Sequence, residues 1–231
     1  MSGSIWVLIP VKPLAEAKTR LGPLLAAGER RVLVQRMLDD VLAAVTAVAG
    51  ITGVALVSAD AMVADLGARY GVRVVPEPRP GLNLALRNAT QVLVGEGVER
   101  LLILPADIPL VSAMAIQHML AADGATPAVS LVAASADGGT NALLTAPPGL
   151  LEPAFGAGSC DRYAQAAREK GVEPRLLDLP EIALDIDRPA DLQALRGRPG
   201  ADRTREYLDR IQVWARFPPM GEGAAMARRA S

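Results

Sequence analysis

Short apolar runs alternate along the chain with longer segments in which apolar residues recur at helical spacing. The first run covers residues 5–9, and a helical segment at 29–49 separates it from further runs at 54–57 and 72–75. The run at 101–104 is apolar at every position, as expected of a central strand buried on both faces. Strands alternating with helices indicate right-handed βαβ units, so the pattern predicts a doubly wound α/β fold with a mostly parallel sheet.

The second half of the chain predicts a change of strand direction. Apolar runs at 129–133 and 142–145 flank the turn-forming cluster Asp137-Gly138-Gly139, which is typical of an antiparallel pair. A helix from Ser159 to about Lys170, strands at 175–177 and 183–186, and a helix starting at Pro189 follow. We therefore expect a mixed sheet flanked by helices.

The length and composition fit one globular domain. At 231 residues and 51% apolar content, the chain can bury one substantial core, and no internal repeat is visible. We assign residues 1–200 to a single domain and 201–231 to a C-terminal helix, at about 202–214, followed by a tail. Gly, Pro and Arg are frequent in that tail, so we expect it to be unstructured.

Charge and composition exclude several classes of function. A formal net charge of −1 and an aromatic content of 3% argue against a nucleic-acid partner. With a single cysteine, no signal-peptide pattern and no apolar run near the length of a membrane span, we expect a cytoplasmic protein without membrane contact. The sequence leaves the oligomeric state open, a homodimer included.

Catalysis by histidine, zinc or a standard nucleotide loop is also disfavoured. His118 is the only histidine and lies in a predicted helix, so neither a Ser-His-Asp mechanism nor a zinc site has its ligands. The phosphate-loop pattern of ATPases and the Gly-x-Gly-x-x-Gly pattern of dehydrogenases are both missing from the sequence.

Three cations follow the first predicted strand. In an open α/β sheet, ligands bind beyond the carboxyl ends of the strands, and Lys12, Lys18 and Arg20 lie there. Cations at this place can neutralise a triphosphate and the charge on departing pyrophosphate. The alternative is that they are ordinary solvated charges on a loop.

Three aspartates occupy strand ends. Asp107 follows the central strand between two prolines, and Asp185 and Asp187 are two residues apart, so in an extended segment their carboxylates point the same way. A hard cation such as Mg²⁺ takes one or two carboxylates together with phosphate oxygens. The alternative is that Asp107 and Asp187 cap the structure that follows each of them.

Glycine-rich loops supply candidate anion sites. Gly138-Gly139-Thr140-Asn141 and Gly156-Ala157-Gly158-Ser159 combine backbone freedom with a hydroxyl, and the second precedes a helix, where N–H groups and the Ser159 hydroxyl suit one phosphate or carboxylate. Ordinary turn chemistry is the alternative for both. The stretch at 78–83 follows the third strand, where its backbone and Asn83 are placed to meet a base or ribose.

Taken together, these stretches resemble the guanylyltransferases of deazaflavin coenzyme F(420) biosynthesis, which activate 2-phospho-L-lactate or phosphoenolpyruvate with GTP. The resemblance runs from about residue 5 to 195, and its pieces occur in the family's order. They are Ile9-Pro10-Val11-Lys12-Pro13 with Lys18-Thr19-Arg20-Leu21, Gly81-Leu82-Asn83-Leu84-Ala85-Leu86, Leu104-Pro105-Ala106-Asp107-Ile108-Pro109-Leu110, Gly138-Gly139-Thr140-Asn141-Ala142-Leu143, Phe155-Gly156-Ala157-Gly158-Ser159, and Leu184-Asp185-Ile186-Asp187-Arg188-Pro189-Ala190-Asp191-Leu192.

The resemblance implies a fold, an activity and a set of site residues. It implies a nucleotide-diphospho-sugar-transferase-like (Rossmann-like) fold and a guanylyltransferase that joins GMP from GTP to the phosphate of a small phosphorylated carboxylic acid. The implied Mg²⁺ ligands are Asp107, Asp185 and Asp187. The implied acceptor-binding residues are Lys12, Thr140, Gly156 and Ser159, and residues 81–83 are expected beside the guanosine.

The chain departs from the family beside the implied acceptor pocket. Where the family usually continues Ser-Phe-x-x-His, this sequence reads Ser159-Cys160-Asp161-Arg162-Tyr163. The acceptor is therefore open among phosphoenolpyruvate, 2-phospho-L-lactate and 3-phosphoglycerate. Three rival interpretations are another nucleotidyltransferase of the same fold, such as a cytidylyltransferase, a glycosyltransferase, and a catalytically silent nucleotide-binding subunit.

Overall fold

The computed structural model describes residues 3–14, 17–77, 81–121 and 126–218. Within these ranges, seven strands form one sheet. They are β1 (Ile5–Pro10), β2 (Gly53–Ser58), β3 (Arg73–Pro76), β4 (Arg100–Ile103), β5 (Ala128–Ala133), β6 (Thr140–Ala146) and β7 (Arg175–Leu176). The helices are α1 (Ala27–Thr46), α2 (Ala61–Tyr70), α3 (Leu82–Gly95), α4 (Ala113–Ala121), α5 (Ser159–Glu169), α6 (Pro180–Ala183), α7 (Pro189–Leu195) and α8 (Asp202–Arg210).

The sheet is mixed and mostly parallel, as the sequence predicts. Its strand order is β3-β2-β1-β4-β6-β5-β7. Strand β1 pairs in parallel with β2 and β4, whereas β6 is antiparallel to both β4 and β5. Because β6 runs against the other strands, its first residues, Thr140 and Asn141, lie at the edge of the sheet where β1 and β4 end. That edge carries the candidate site.

Apolar residues cover both faces of the sheet. Val7 and Ile9 of β1 belong to a core cluster that includes residues of α1, α4, α7 and α8, and Leu8 between them belongs to a second cluster with α3 and α5. Successive residues of a strand point to opposite faces, so an apolar run without alternation serves both cores. None of the helices in the described ranges is long and apolar enough to cross a membrane.

The prediction of a strand at 183–186 is wrong. Pro180 starts the short helix α6, which ends at Ala183, and the chain then continues without a strand partner. Other hydrogen bonds hold the backbone of this segment. The Asn141 side-chain amide donates to the carbonyls of Ile182 and Ala183, and the Ile186 N–H donates to the Asp107 carbonyl. Side-chain and loop contacts replace a strand ladder here, which an apolar run cannot reveal.

The C-terminal helix is shorter than the predicted 202–214. Helix α8 ends at Arg210, and a 3-10 turn over Val213–Arg216 follows Gln212, whose φ of 52° interrupts the helix. Helix α8 packs on α1, where the buried carboxylate of Asp40 accepts hydrogen bonds from the N–H groups of Arg203 and Thr204. The predicted tail beyond Pro218 lies outside the described residues.

Helix α3 is an element that the sequence analysis does not assign. It starts at Leu82, directly after Gly81, whose φ of 138° lies in a region that side chains other than glycine rarely adopt. Leu82 and Asn83 therefore belong to the first turn of a helix rather than to a loop. Residues 78–80 of the predicted base-binding stretch lie outside the described residues.

Candidate active site

A cavity of about 420 Å³ opens beyond the carboxyl ends of β1 and β4. This is the position where the strand order reverses, and ligands of doubly wound sheets bind at such a point. The side chains around it include all three cations and two of the three aspartates that the sequence analysis selects. The lining residues are Pro10, Val11, Lys12, Ala17, Lys18, Thr19, Arg20, Val34, Leu82, Pro105, Ala106, Asp107 and Asp187. We call this the first cavity.

Lys18 joins two of the aspartates. Its Nζ lies 2.5 Å from Asp107 Oδ2 and 3.0 Å from Asp187 Oδ1, so one ammonium donates to carboxylates that follow different elements of the fold. Its side chain is only 7% exposed. Burial would lower the pKa of the Lys18 ammonium, but the two carboxylates outweigh burial and hold that pKa above its ordinary value. Lys18 is therefore charged and fixed at the floor of the cavity.

The backbone of Lys18 is held in an unusual conformation. Its φ and ψ of 57° and 36° are left-handed, a region that costs a non-glycine residue free energy. The residue directly precedes the 3-10 turn over Thr19–Leu21, and this backbone turn directs its side chain inward while Leu21 enters the core. The ion pairs with Asp107 and Asp187 offset the cost of that conformation.

Asp187 belongs to the site and does not cap α7. Its Oδ2 accepts a hydrogen bond of 2.8 Å from Arg20, and Asp191 instead accepts the N–H groups of Asp187 and Arg188 at the start of the helix. Burial raises the pKa of the Asp187 carboxyl, but the charges and hydrogen bonds of Lys18 and Arg20 more than reverse this and lower it. Lys12 lines the same cavity and is exposed.

A second, smaller cavity of about 180 Å³ adjoins the first. The two share Pro10, Leu82 and Pro105, so they meet across the ends of β1 and β4. Leu86, Ile103 and Phe155 give the second cavity an apolar wall, and Asp185 lies at its edge. Its lining residues are Pro10, Leu82, Leu86, Ile103, Pro105, Ala134, Asp137, Gly139, Thr140, Asn141, Phe155, Gly156 and Asp185.

Asp185 is held apart from the Lys18 pairs. Its Oδ1 accepts a hydrogen bond of 3.2 Å from the Asn141 side-chain amide. Burial first, and then the nearby charge of Asp107, raise the pKa of the Asp185 carboxyl, although the Asn141 bond and Lys18 oppose the rise. A further positive charge near Asp185 and Asp107 would therefore stabilise the ionised form of Asp185.

The predicted anion site at the start of α5 differs from expectation. Thr140 and Ser159 lie together, with their hydroxyls 2.7 Å apart, but Ser159 is fully buried. The N–H groups of Gly158, Ser159 and Cys160 donate to backbone carbonyls of Asp137, Gly156 and Gly138 respectively. These donors dock the helix onto the glycine loop instead of facing a ligand, and Thr140 and Gly156 remain to line the second cavity.

Backbone conformation explains two glycines of these loops. Gly138 and Gly158 have φ values of 66° and 64°, a region that residues with side chains rarely adopt. Gly158 therefore shapes the junction between β6 and α5 and is not among the described residues that line either cavity.

The side-chain amide of Asn83 hydrogen-bonds to the protein backbone rather than to an open ligand position. Its Oδ1 accepts the N–H of Phe155 at 2.8 Å, and its Nδ2 donates to the carbonyl of Phe155 at 3.3 Å. Leu82 lines both cavities, whereas Gly81 is not among the described residues that line them. In this structure Asn83 contacts the wall of the second cavity, and its contact with a base or ribose stays a prediction.

The donor set fits a divalent ion only in part. Asp107 and Asp187 both contact the single ammonium of Lys18, so their carboxylates approach one common point. Among the described residues, however, no three acidic, histidine or cysteine side chains are grouped closely enough to hold a metal ion, and the predicted set with Asp185 is not assembled. Two carboxylates with phosphate oxygens are nevertheless the donors that Mg²⁺ usually takes.

Several residues of the site lie outside the set selected from the sequence. Asn141 orients both Asp185 and the 182–183 backbone, and a polar residue at the start of a buried strand is the signal for such a role. Phe155 lines the second cavity, and Tyr163 packs behind it with only 2% exposure. Tyr163 is not among the described residues that line either cavity.

Comparisons with known proteins agree with this geometry. A family model described as "Guanylyl transferase CofC like" matches residues 5–227. A phosphoenolpyruvate guanylyltransferase of Sphaerobacter thermophilus is 41% identical over 82% of this chain and 91% of its own length. A 3-phospho-D-glycerate guanylyltransferase of Phenylobacterium zucineum is 36% identical over 85% of this chain and 91% of its own.

Solved structures are similar in fold. A protein described as a nucleotide-diphospho-sugar transferase from Desulfovibrio desulfuricans superposes with a TM-score of 0.73 at 17% identity, covering 93% of this chain and 98% of its own. A 4-diphosphocytidyl-2C-methyl-D-erythritol synthase superposes with a TM-score of 0.60 at 18% identity, covering 84% and 98%. The predicted nucleotide-diphospho-sugar-transferase-like fold is confirmed.

Proposed function

The chain belongs to the family described as CofC-like guanylyl transferases, and we propose that it transfers GMP from GTP to the phosphate of phosphoenolpyruvate, releasing pyrophosphate. One observation carries the proposal: a cavity lined by three cations and two aspartates meets a smaller, largely apolar cavity at the ends of β1 and β4. Two adjoining cavities of this kind suit a nucleoside triphosphate bound beside a small acid. The place of this reaction in coenzyme F(420) biosynthesis is part of the proposal and rests on the family.

The first cavity is the proposed site of the GTP phosphates. Lys12, Lys18 and Arg20 supply three positive charges there, and a triphosphate needs such charges most when pyrophosphate leaves. Lys12 and Arg20 are exposed, and Arg20 is paired with Asp187, whereas Lys18 is buried and fixed by two carboxylates. Leu82 at the start of α3 is the described residue of the predicted guanosine stretch that lines this cavity.

The second cavity is the proposed acceptor site, and its apolar wall favours phosphoenolpyruvate and 2-phospho-L-lactate over 3-phosphoglycerate. Leu86, Ile103 and Phe155 would face the C3 carbon of the acid. That carbon is an apolar methylene in phosphoenolpyruvate and an apolar methyl in 2-phospho-L-lactate. In 3-phosphoglycerate a hydroxyl would lose its water there without a partner, at a cost in affinity. Relatives named phosphoenolpyruvate guanylyltransferase support the choice of phosphoenolpyruvate as the acceptor.

Residues of this chain would bring the reactants together and neutralise charge. An oxygen of the acceptor phosphate attacks the α-phosphorus of GTP, the bond from that phosphorus to the β-phosphate oxygen breaks, and pyrophosphate leaves. The acceptor oxygen is already anionic at neutral pH, so no general base is required, and positioning supplies much of the rate. Thr140 is placed to donate its hydroxyl to the acceptor, with Ser159 orienting it.

We also propose Mg²⁺ as the cofactor. Asp107 and Asp187 would hold the ion, and Asp185 could join them after turning from Asn141. When bound, the ion would supply positive charge to the phosphate oxygens of both substrates.

The experiment that tests the function is a substrate matrix. The protein is incubated with Mg²⁺, each of the four nucleoside triphosphates, and each of the three acids, and initial rates of pyrophosphate release are measured. We expect the highest kcat/KM for GTP with phosphoenolpyruvate and no release without an acid.

Each rival has its own outcome in that matrix. Preference for CTP would replace the proposal with a cytidylyltransferase, and preference for 3-phosphoglycerate would overturn the acceptor. Tight GTP binding without pyrophosphate release in the presence of any of the acids would indicate a silent subunit. Turnover of UDP-sugars would indicate a glycosyltransferase.

A further inference from the structure

One part of the wall of the second cavity is a stretch without regular structure. Phe155 and Gly156 line the cavity and belong to the connection between β6 and α5. A wall of this kind keeps its position only through contacts with rigid elements on either side. Asn83 of α3 and Tyr163 of α5 supply them. We propose that these two residues position the wall and thereby set the affinity for the acceptor, an inference that rests on the proposed function.

Asn83 holds the backbone of Phe155 from the side of α3. The amide group uses both its acceptor and its donor, at 2.8 Å and 3.3 Å, on the N–H and carbonyl of one residue. A two-point bond of this kind fixes direction as well as distance. Its neighbour Leu82 lines both cavities, so Asn83 also joins the acceptor wall to the helix that borders the nucleotide.

Tyr163 holds the same stretch from the side of α5. Its hydroxyl accepts the N–H of Ala154 at 2.6 Å, and its ring packs edge-on against Phe155 with centroids 5.4 Å apart. Burial raises the pKa of Tyr163 to about 12, so the hydroxyl stays protonated at neutral pH. Arg162 adds bonds to the carbonyls of Ala154 and Ala157 from the exposed side.

These contacts act on one cavity only. Residues 154–156 are not among the described residues that line the first cavity, whereas Phe155 and Gly156 form part of the second. A loosened wall would therefore weaken binding of the acid and leave the GTP phosphates in place. Tyr163 and Asn83 act through Phe155, so we class both as positioning residues.

Tyr163→Phe tests the proposal because it removes the hydroxyl and keeps the ring. We expect the KM for the acceptor to rise about tenfold, the effect of one lost hydrogen bond, while the KM for GTP changes less than about twofold. Asn83→Ala should act in the same direction. The double variant should fall short of the product of the two effects, because both residues hold one wall.

Tyr207→Phe is the matched control. Tyr207 is also buried, and its hydroxyl donates to the carbonyl of Glu29 in the packing of α8 on α1, away from both cavities. The control should lower the melting temperature without changing either KM. Equal rises in both KM values for Tyr163→Phe, or a lower melting temperature with unchanged KM values, would overturn the proposal.

Amide hydrogen exchange separates this inference from the proposed function. The peptide that contains Ala154 should exchange about tenfold faster in Tyr163→Phe than in the wild type, and at the wild-type rate in Tyr207→Phe. If another acid proves to be the substrate, the KM comparison is made with that acid. Unchanged exchange in Tyr163→Phe refutes the positioning role whatever the enzyme transfers, and faster exchange in a protein without transfer activity upholds the contact while the function fails.

Discussion

At the scale of single residues, Lys18 is the centre of the site. Its ammonium satisfies two carboxylates at once, its side chain is nearly buried, and its backbone is left-handed. Strained non-glycine residues persist where the surrounding contacts outweigh their cost, and they are common at functional sites. Lys18 therefore links the fold of the loop after β1 to the chemistry of the cavity.

Replacing Lys18 by methionine keeps the apolar stem and removes the charge. We expect kcat to fall at least about 100-fold, the usual effect of removing one key electrostatic group. Pyrophosphate release at saturating substrates measures the change. Lys170→Met, at the exposed end of α5, is the matched control and should retain wild-type activity. Near-normal turnover by Lys18→Met would contradict the role given to the ammonium.

Asp107→Asn tests the proposed metal contact. The substitution keeps the shape of the side chain and removes its charge, so we expect kcat to fall about 100-fold or more. We also expect the Mg²⁺ concentration at half-maximal rate to rise. Asp178→Asn, at an exposed position, should change neither value. An unaltered Mg²⁺ dependence in Asp107→Asn would separate Asp107 from the metal.

The sequence predicts which charged residues come together, but not what the side-chain amide of Asn83 contacts. Lys18, Arg20 and Asp107 converge because they follow β1 and β4, whose parallel ends share one edge of the sheet. Asp187 reaches the same edge from a segment that forms no strand. The pairing of Asn83 with Phe155 joins residues 72 positions apart and depends on how α3 lies against the β6–α5 connection. No local pattern encodes that contact.

At the scale of elements, α8 depends on a cap supplied by another helix. Its first turn has no side-chain cap of its own, and Asp40 of α1 accepts the N–H groups of Arg203 and Thr204 at 3.1 Å and 2.9 Å. A carboxylate at a helix N-terminus also interacts favourably with the helix dipole.

Asp40→Ala should lower the free energy of unfolding by about 2–3 kcal/mol, because the buried N–H of Thr204 and the partly buried N–H of Arg203 lose a charged acceptor. Urea unfolding measures the loss, and turnover at a temperature where the variant stays folded should be unchanged. The exposed Asp178→Asn serves as the control. If Asp40→Ala is as stable as the wild type, the cap contributes nothing.

The sequence predicts a strand or helix correctly where its pattern of residues has one physical cause. Strands β1, β2 and β4 follow from apolar runs, and the antiparallel β5 and β6 follow from the glycine turn between them. The segment at 183–186 alternates apolar residues with Asp185, but its backbone hydrogen-bonds to Asn141 and Asp107 instead of to a neighbouring strand. Its in-and-out alternation survives, with Ile186 fully buried.

At the scale of the whole molecule, the last described residues are tied back to the start of α1. Arg216 donates to both carboxylate oxygens of Glu29 at 2.7 Å and 2.8 Å, and to the carbonyl of Leu24. The hydrogen bonds from Arg216 lower the pKa of the Glu29 carboxyl below its ordinary value despite some burial. The C-terminal segment thus belongs to the same core as the elements that carry the candidate site.

This ion pair predicts a pH dependence of stability. A carboxyl whose pKa is lowered in the folded state stabilises the fold above its unfolded pKa of about 4.3, and this contribution disappears as the pH falls through the folded value. Glu29→Gln should therefore be less stable than the wild type at pH 7, and the difference should vanish on acidification below about pH 4. A difference that stays constant with pH would show that the charge of Glu29 is not the cause.

The central claim is that an oxygen of the acceptor phosphate attacks the α-phosphorus of GTP where the two cavities meet. The most direct test supplies phosphoenolpyruvate with ¹⁸O in its phosphate group and analyses the products by mass spectrometry. We expect all of the label in a GMP–phosphoenolpyruvate conjugate and unlabelled pyrophosphate. Labelled pyrophosphate, or release of orthophosphate with GDP, would contradict the account.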